Sequence, residues 1–372
     1  MKIAVIGTIG IPYPGGVEKH VEELYSRLAK KGFDITIYCR KGCIRDSGDY
    51  KGMKRRVLPT FRNKHLEAFV HSFLASLDLL FKDYDVVHYH AMGPSLFCFL
   101  PRIFKKKVVV TFHGLDWKRE KWGAFSKIIL KLGEYTALRF SHKVIVVSKT
   151  MQKYYKNKFY RDTFYISNGI DALNDKDFFP TRSLKEKFNL EKNSYILFVS
   201  KLSPEKGAHF LISAFKQLKT DLKLVIAGGS RHSDKYITRL KEESINNSKI
   251  IFTDLVVGDE LKQLYSDAYL FVQPSTIEGM AFTMLEAMNF SKCILCSDID
   301  ENKAVVDTCG ITFKNKNIQD LKNKIQFLLQ QPTLVAELGQ KARYRVCIEY
   351  NWEHVINEMA KLLNGFLDKR NV

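Results

Sequence analysis

The sequence contains no run of about 18 apolar residues, so no segment of it is long enough to cross a bilayer as a helix. It has no second Cys-x-x-Cys pair at zinc spacing, no RNA-binding signature and no helix-turn-helix spacing, which argues against nucleic acid as a partner. There is no low-complexity tract and no repeat shorter than a domain, which excludes a disordered linker protein and a solenoid. Met1 runs straight into the apolar Ile3-Ala4-Val5-Ile6 without a leader, and the expected location is cytoplasmic. The seven cysteines are scattered and odd in number, as reduced thiols are; Cys293-Ile294-Leu295-Cys296 lies in an apolar run and reads as core.

Acidic residues are scarce in one half. Residues 1–180 hold 32 Lys and Arg against 17 Asp and Glu, whereas residues 181–372 hold 27 against 23. A basic first half suits a polyanionic partner: an anionic membrane surface or a phosphorylated substrate. Lys54-Arg55-Arg56, Arg62-x-Lys64, Lys105-Lys106-Lys107 and Lys118 to Trp122 are the candidate contacts for such a surface, and a solvated basic face is the plainer reading. The helical stripe Leu66, Phe69, Val70, Phe73, Leu74, Leu77 and Leu80 reads as core-facing.

The 372 residues allow two domains, and 45 % apolar content is enough to give each a core. Lys2–Ile6 reads as a strand, Val17–Lys30 as an amphipathic helix stopped by Gly32, and Asp34–Arg40 as a second strand. This βαβ opening predicts a doubly wound parallel sheet. The connecting loop, Gly7 to Gly16, carries two prolines and is not G-x-G-x-x-G. The second strand ends in Cys39-Arg40 with no acid for a ribose, although Arg40 is suited to a 2′-phosphate, and a dinucleotide site fits poorly. Residues 172–180 read as a linker, after which Tyr195–Val199 restarts the α/β pattern.

Functional residues are expected at the C-terminal ends of strands. His88 and His90 share one face of Val86–His90, but no third metal ligand is evident. His113-Gly114 ends another strand. In the second half, Lys201 and Lys206-Gly207 lie at a helix start, where two cations and free amides make a diphosphate clamp. The most informative stretch is Pro274 to Met288. A buried strand precedes it, Gly279 turns the chain and Phe282 opens a helix, giving an anion site at the helix N-terminus. Glu278 and Glu286 bracket that site. Carboxylates there are poorly placed for phosphate but well placed to accept hydrogen bonds from sugar hydroxyls. A strand–helix corner with two solvated acids remains the alternative.

Glu278-x7-Glu286, with Pro274-Ser275 before it and Leu285-Glu286-Ala287-Met288 at its end, resembles the E-x7-E signature of the family 4 retaining glycosyltransferases. So do Gly15-Gly16-Val17-Glu18, His113, Asn168-Gly169-Ile170-Asp171 and Lys206-Gly207, and the resemblance spans nearly the whole chain. Two positions depart from the usual pattern: Met280-Ala281 follows Glu-Gly, and Lys201 stands where Arg is common. The segment after His113 is similar to polysaccharide-building members, rhamnosyltransferases among them.

The resemblance implies a GT-B fold, in which two Rossmann-like domains (1–172 and 181–350) face each other across a cleft and residues 351–372 return to the first. It implies transfer, with retention, from a nucleotide sugar to a hydroxyl of a glycan or lipid-linked glycan, without a metal or other cofactor. Lys201 and Lys206 would stabilise the leaving diphosphate, Glu286 would hold the ribose and Glu278 the donor sugar. Gly15, Gly16 and His113 would face the reacting carbon. Phe282 and Thr283 would lie on the donor, and Val256 near the base. Asp298-x-Asp300 belongs to a Ser-Asp-Ile segment common in the family, and no metal is assigned to it. A nucleotide-sugar epimerase of the same architecture and a non-catalytic basic membrane scaffold are the other function classes.

Overall fold

The computed structural model describes the chain except residues 45, 62–65, 121, 174–182, 231–233 and 367–372. The predicted linker therefore lies largely outside the described residues, as do Arg62, Lys64 and Lys121. The chain forms two compact α/β units. The first comprises Met1–Gly169 with the segment from Trp352 onward, and the second comprises Ile170–Asn351.

The first unit carries β1 (Lys2–Ile6), β2 (Asp34–Arg40), β3 (Gly48–Tyr50), β4 (Met53–Leu58), β5 (Val86–His90), β6 (Lys107–Phe112), β7 (Lys143–Val146) and β8 (Phe164–Tyr165). Their order is β3-β4-β2-β1-β5-β6-β7-β8, parallel except for the β3–β4 pair. That hairpin is absent from the sequence reading; its turn uses Lys51 and Gly52, both at positive φ (48° and 78°). The helices are α1 (Gly16–Lys30), α2 (Glu67–Asp78), α3 (Met92–Ser95), α4 (Phe99–Ile103), α5 (Ala124–Phe140) and α6 (Lys149–Phe159). The steps β4→β5, β5→β6 and β6→β7 run one way across the sheet. Right-handed crossovers therefore put α2, α3–α4 and α5 on one face. Ring contacts Phe73–Phe97 (5.3 Å) and Phe99–Phe140 (6.1 Å) join them into a layer.

The α2 stripe does not behave as a core stripe. The buried residues of α2 are Glu67, His71, Ser72, Ala75 and Ser76, while Leu66 and Phe73 are exposed. The inward face is fixed by polar bonds: Ser76 to the Tyr89 hydroxyl (2.7 Å) and Glu67 to the buried Arg40 (3.9 Å). Arg40 is thus committed inside the unit.

The second unit carries β9 (Tyr195–Val199), β10 (Lys223–Ala227), β11 (Ile250–Asp254), β12 (Leu270–Gln273), β13 (Cys293–Ser297) and β14 (Gly310–Phe313), ordered β11-β10-β9-β12-β13-β14 and all parallel. The helices are α7 (Ser183–Phe188), α8 (Ala208–Phe215), α9 (Asp234–Ser244), α10 (Gly258–Asp267), α11 (Phe282–Asn289), α12 (Asp300–Val306), α13 (Ile318–Leu329) and α14 (Pro332–Glu349). The strands are near-continuous apolar runs because both faces of the sheet are covered. Cys293 and Cys296 are buried in β13, and burial pushes the Cys293 thiol up to about 12. They are core residues.

Strand order reverses between β1 and β5 in the first unit and between β9 and β12 in the second. Ligands of open parallel sheets bind at the C-terminal ends of strands flanking such a reversal.

Candidate functional site

In the first unit, the loop after β1 approaches the end of β5 so closely that a Cβ on Gly7 would lie 2.1 Å from the His90 carbonyl oxygen. Gly7 also has φ 118°, so the position needs glycine twice over. Glu18, buried in the first turn of α1, accepts a hydrogen bond from the Ile9 amide at 3.0 Å. A Cβ on Gly15 would lie 2.1 Å from its Oε2. The acid of the Gly-Gly-x-Glu motif therefore ties down the loop, a role the sequence reading did not assign. Gly16 has open space where a side chain would be.

Four histidines gather at the strand ends. His113, just beyond β6, places Nε2 2.9 Å from His90 Nδ1. His90 Nε2 lies 3.2 Å from the Tyr25 hydroxyl, which lies 2.5 Å from His88 Nδ1, and His88 Nε2 lies 2.7 Å from Thr111 Oγ1. The short phenol–imidazole distance makes Tyr25 the donor to His88. The Tyr25 oxygen then accepts from His90 Nε2–H, and His90 Nδ1 accepts from His113 Nε2–H. One chain of hydrogen bonds thus sets the tautomer of His113 from Thr111, through three buried side chains.

His20 Nδ1 meets Asn168 Oδ1 at 2.9 Å, and its Nε2 has no hydrogen-bond partner in the structure. Burial holds all four imidazoles neutral: His20 falls to about 4, His88 to about 3, and His90 and His113 lie well below the usual range. One ligand nitrogen each from His20, His90 and His113 lies within 4.8 Å of the others. The group joins His90 to His20 and His113 rather than to His88, the partner that the sequence spacing offered. Neutral imidazoles of this kind suit borderline transition metals rather than Mg²⁺.

Asn168-Gly169 has a packing reason. A Cβ on Gly169 would lie 2.4 Å from the Trp352 ring, which also stands 6.0 Å from His20 and 5.2 Å from the Arg27 guanidinium carbon. The last helix, Trp352–Asn364, packs on α1.

In the second unit, the loops after β9 and β12 meet. Gly207 has φ 76°, and a Cβ there would lie 2.1 Å from the Pro274 carbonyl oxygen. The Thr276 amide donates to the Glu205 carbonyl at 2.9 Å. Across this junction Lys206 Nζ reaches the buried Glu278 Oε1 at 2.6 Å, and Gln273 Nε2 donates to the same oxygen at 2.9 Å. One of the three ammonium protons is used by Glu278, leaving two for a ligand. Lys201 is exposed on the same loop.

α11 begins at Phe282, which is buried, with Thr283 half-buried beside it. Glu286, on the next turn, accepts a hydrogen bond from the buried Tyr265 hydroxyl at 2.8 Å, so its carboxylate is oriented before any ligand arrives. Val256 is buried between the exposed Leu255 and Val257 in the loop after β11. Asp298 caps a turn by accepting from the Asn315 amide, and Asp300 pairs with Lys303, so the D-x-D pair is occupied structurally. The second unit thus gathers Lys201, Lys206, Glu278, Phe282, Thr283 and Glu286 on the loops and helix around one strand reversal, and the first gathers Gly15, Gly16 and His113 around the other.

A family model described as Glycosyltransferase Family 4 matches residues 14–172, and one described as Glycosyl transferases group 1 matches residues 181–345. An uncharacterized glycosyltransferase of Methanocaldococcus jannaschii is 25% identical over 386 residues, spanning 97% of each chain. The lipopolysaccharide 1,2-N-acetylglucosaminetransferase of Salmonella typhimurium is 28% identical over 247 residues, or 61% of this chain and 63% of that one. An Anabaena protein solved in complex with UDP-glucose has the same fold, with a TM-score of 0.81 at 18% identity, over 98% of this chain and all of that one.

Proposed function

The chain belongs to the family 4 glycosyltransferases and has their GT-B fold, and from this we propose that it transfers a hexosyl or deoxyhexosyl group, with retention, from a nucleoside-diphosphate sugar to a hydroxyl of a glycan or lipid-linked glycan during surface polysaccharide synthesis. The observation that carries the reading is the Lys206–Glu278 pair at the β9/β12 reversal, with the oriented Glu286 on the helix that follows Glu278. Cation and carboxylates stand together where a diphosphate and its two sugars present opposite requirements.

In this reading Lys206, Lys201 and the amides at the start of α8 take up charge on the leaving diphosphate. Preorganised donors of this kind are worth about 3 kcal/mol each. Glu286 accepts from ribose hydroxyls and Glu278 from the donor sugar. The acceptor hydroxyl attacks the anomeric carbon on the face from which the diphosphate departs. The C–O bond to phosphate breaks with its electron pair, and the departing phosphate oxygen takes the acceptor proton. No separate general base is required. His113, neutral and fixed in tautomer, offers hydrogen-bonding capacity without adding charge near the reacting carbon.

The acceptor in this proposal is held at the cytoplasmic face of a membrane. No helix among the described residues is long and apolar enough to cross one, so attachment would be peripheral.

The deciding experiment is calorimetry with UDP, GDP, dTDP and ADP without added metal. One diphosphate binds, and Glu286→Ala weakens it at least about tenfold, as expected for loss of hydrogen bonds to a charged acceptor. Affinity unchanged in that variant removes the ribose role. Transfer survives EDTA; complete loss that is restored by a transition metal would overturn the metal-independent step and direct attention to His20, His90 and His113.

A further inference from the structure

Among the described residues, ten of the eighteen exposed large apolar side chains lie between Phe61 and Tyr135, in the first unit. On α5 they form a helical stripe: Phe125 (76 % exposed), Ile128 (57 %), Leu132 (49 %) and Tyr135 (60 %). The direction of the stripe is fixed by the opposite side of the helix. There Gly133 packs so tightly that a Cβ would lie 2.0 Å from the Met92 carbonyl oxygen, and Glu134 is buried against the Tyr155 hydroxyl at 2.9 Å. Beside α5, the end of α4 exposes Ile103 and Phe104, and α2 turns its apolar side outward at Phe73.

The charges on this layer are of one sign. Lys131 and Arg139 on α5, with Arg102 and Lys105 at the end of α4, are exposed. The only carboxylate of α5, Glu134, faces inward, α3 and α4 have none, and on α2 Glu67 is buried beside Arg40 while Asp78 is bound to Arg56. A symmetric second copy laid helix on helix would bring these cations against one another, because α4 carries no acid and the acids of α2 and α5 are buried or already bound. A surface with an apolar interior and an anionic boundary matches both features.

We propose that the outer face of the α2–α4–α5 layer docks on an anionic lipid bilayer, with α5 lying along it and the Phe125–Tyr135 stripe in the headgroup–acyl boundary. This deepens the reading of a membrane-held acceptor and rests on it for its purpose, although docking itself requires no catalysis. The docking element is α5 rather than the basic runs singled out in the sequence. Of the described residues in those runs, Arg56 is bound to Asp78, Lys54 to Asp34 and Arg119 to Asp116, while Lys105 is exposed at the end of α4 and Lys118 shares the Trp117 ring with Lys131.

The test is flotation of the full chain with vesicles of phosphatidylcholine alone or mixed with phosphatidylglycerol, with nucleotide binding measured on the same preparations. The wild type floats with the mixed vesicles. Phe125→Ser/Ile128→Ser/Leu132→Ser reduces binding at least tenfold at every salt concentration. Lys131→Ala/Arg139→Ala loses the preference for phosphatidylglycerol by about fivefold per cation and loses its salt dependence. Wild-type hydrogen-exchange protection of β5 and β6 in both variants shows that the first unit is folded, and unchanged nucleotide affinity shows the same of the second. Failure of the wild type to float at low salt, equal flotation of the apolar variant, or a solution dimer that this variant dissociates would each overturn the docking face while leaving glycosyl transfer standing. Failure of nucleotide binding in a chain that still floats would overturn the transfer reading alone.

Discussion

The two units handle buried polarity in opposite ways. In the second, Lys206 and Glu278 face each other at 2.6 Å, and each charge is compensated by its partner. In the first, four imidazoles crowd together and burial leaves them neutral, with His88, His90 and His113 joined in one hydrogen-bonded chain through Tyr25 and His20 held by Asn168. A paired site stands ready for a ligand that carries charge. A neutral site suits hydroxyls and a developing positive centre, which a fixed cation would repel. The contrast makes the second unit sensitive to which residue is removed and the first sensitive to protons.

The strongest way to break the contrast is Lys206→Ala. It removes the cation proposed to meet the diphosphate and leaves Glu278 buried without its partner. Turnover falls about 10²–10³-fold, and the melting transition drops by roughly 3 kcal/mol, the lower end of the cost of breaking a buried pair, since Lys206 keeps some solvent contact. Lys206→Met/Glu278→Gln melts above the single variant while remaining inactive. A double variant no more stable than Lys206→Ala would show that the pair is not the cause.

Protons test the other side. The folded values of His20 and His88 lie near 4 and 3, below the unfolded value near 6.5, so the unfolded chain binds more protons between them. Stability of the first unit is complete above about pH 6.5 and is lost as pH falls toward 4, by up to about 1.4 kcal/mol per pH unit for each histidine. Hydrogen exchange at pH 7, 6 and 5 should show amides of β1, β5 and β6 losing protection before those of β9 and β12. Uniform loss across both sheets would deny the difference. The smallest effect is expected for Tyr25→Phe. It cuts the chain between His88 and His90, costs about 1 kcal/mol, and changes the pH profile of transfer more than the affinity for nucleotide. A variant with the wild-type profile would show that the chain does not set the state of His113.

The parallel strands were legible because β9, β12 and β13 are largely apolar runs, and the grouping of Lys206, Glu278 and Glu286 because these residues sit in or just beyond short strand-to-helix loops. What sequence could not show arises from long-range partnership. His20 is 70 residues from His90 and 93 from His113, and no spacing rule joins them. The outward turn of α2 is set by Ser76 meeting Tyr89 and Glu67 meeting Arg40, whereas periodicity reports only that a stripe exists, not which side the sheet will take. The β3–β4 hairpin was hidden because its turn puts a lysine, not an asparagine, at positive φ. Glu18 was legible as a motif member, but its bond to Ile9 depends on a loop path the letters do not give.

The fit of Trp352 against Gly169 has a consequence for synthesis. The first unit begins at the N-terminus, yet its last helix emerges only after every residue of the second unit has been made. At ribosomal speeds of about 5–20 residues per second, that delay is on the order of ten to forty seconds. During it, the His20 side of α1 lacks its covering indole. The second unit can complete itself in that interval, while the first remains open on one flank until the closing helix arrives.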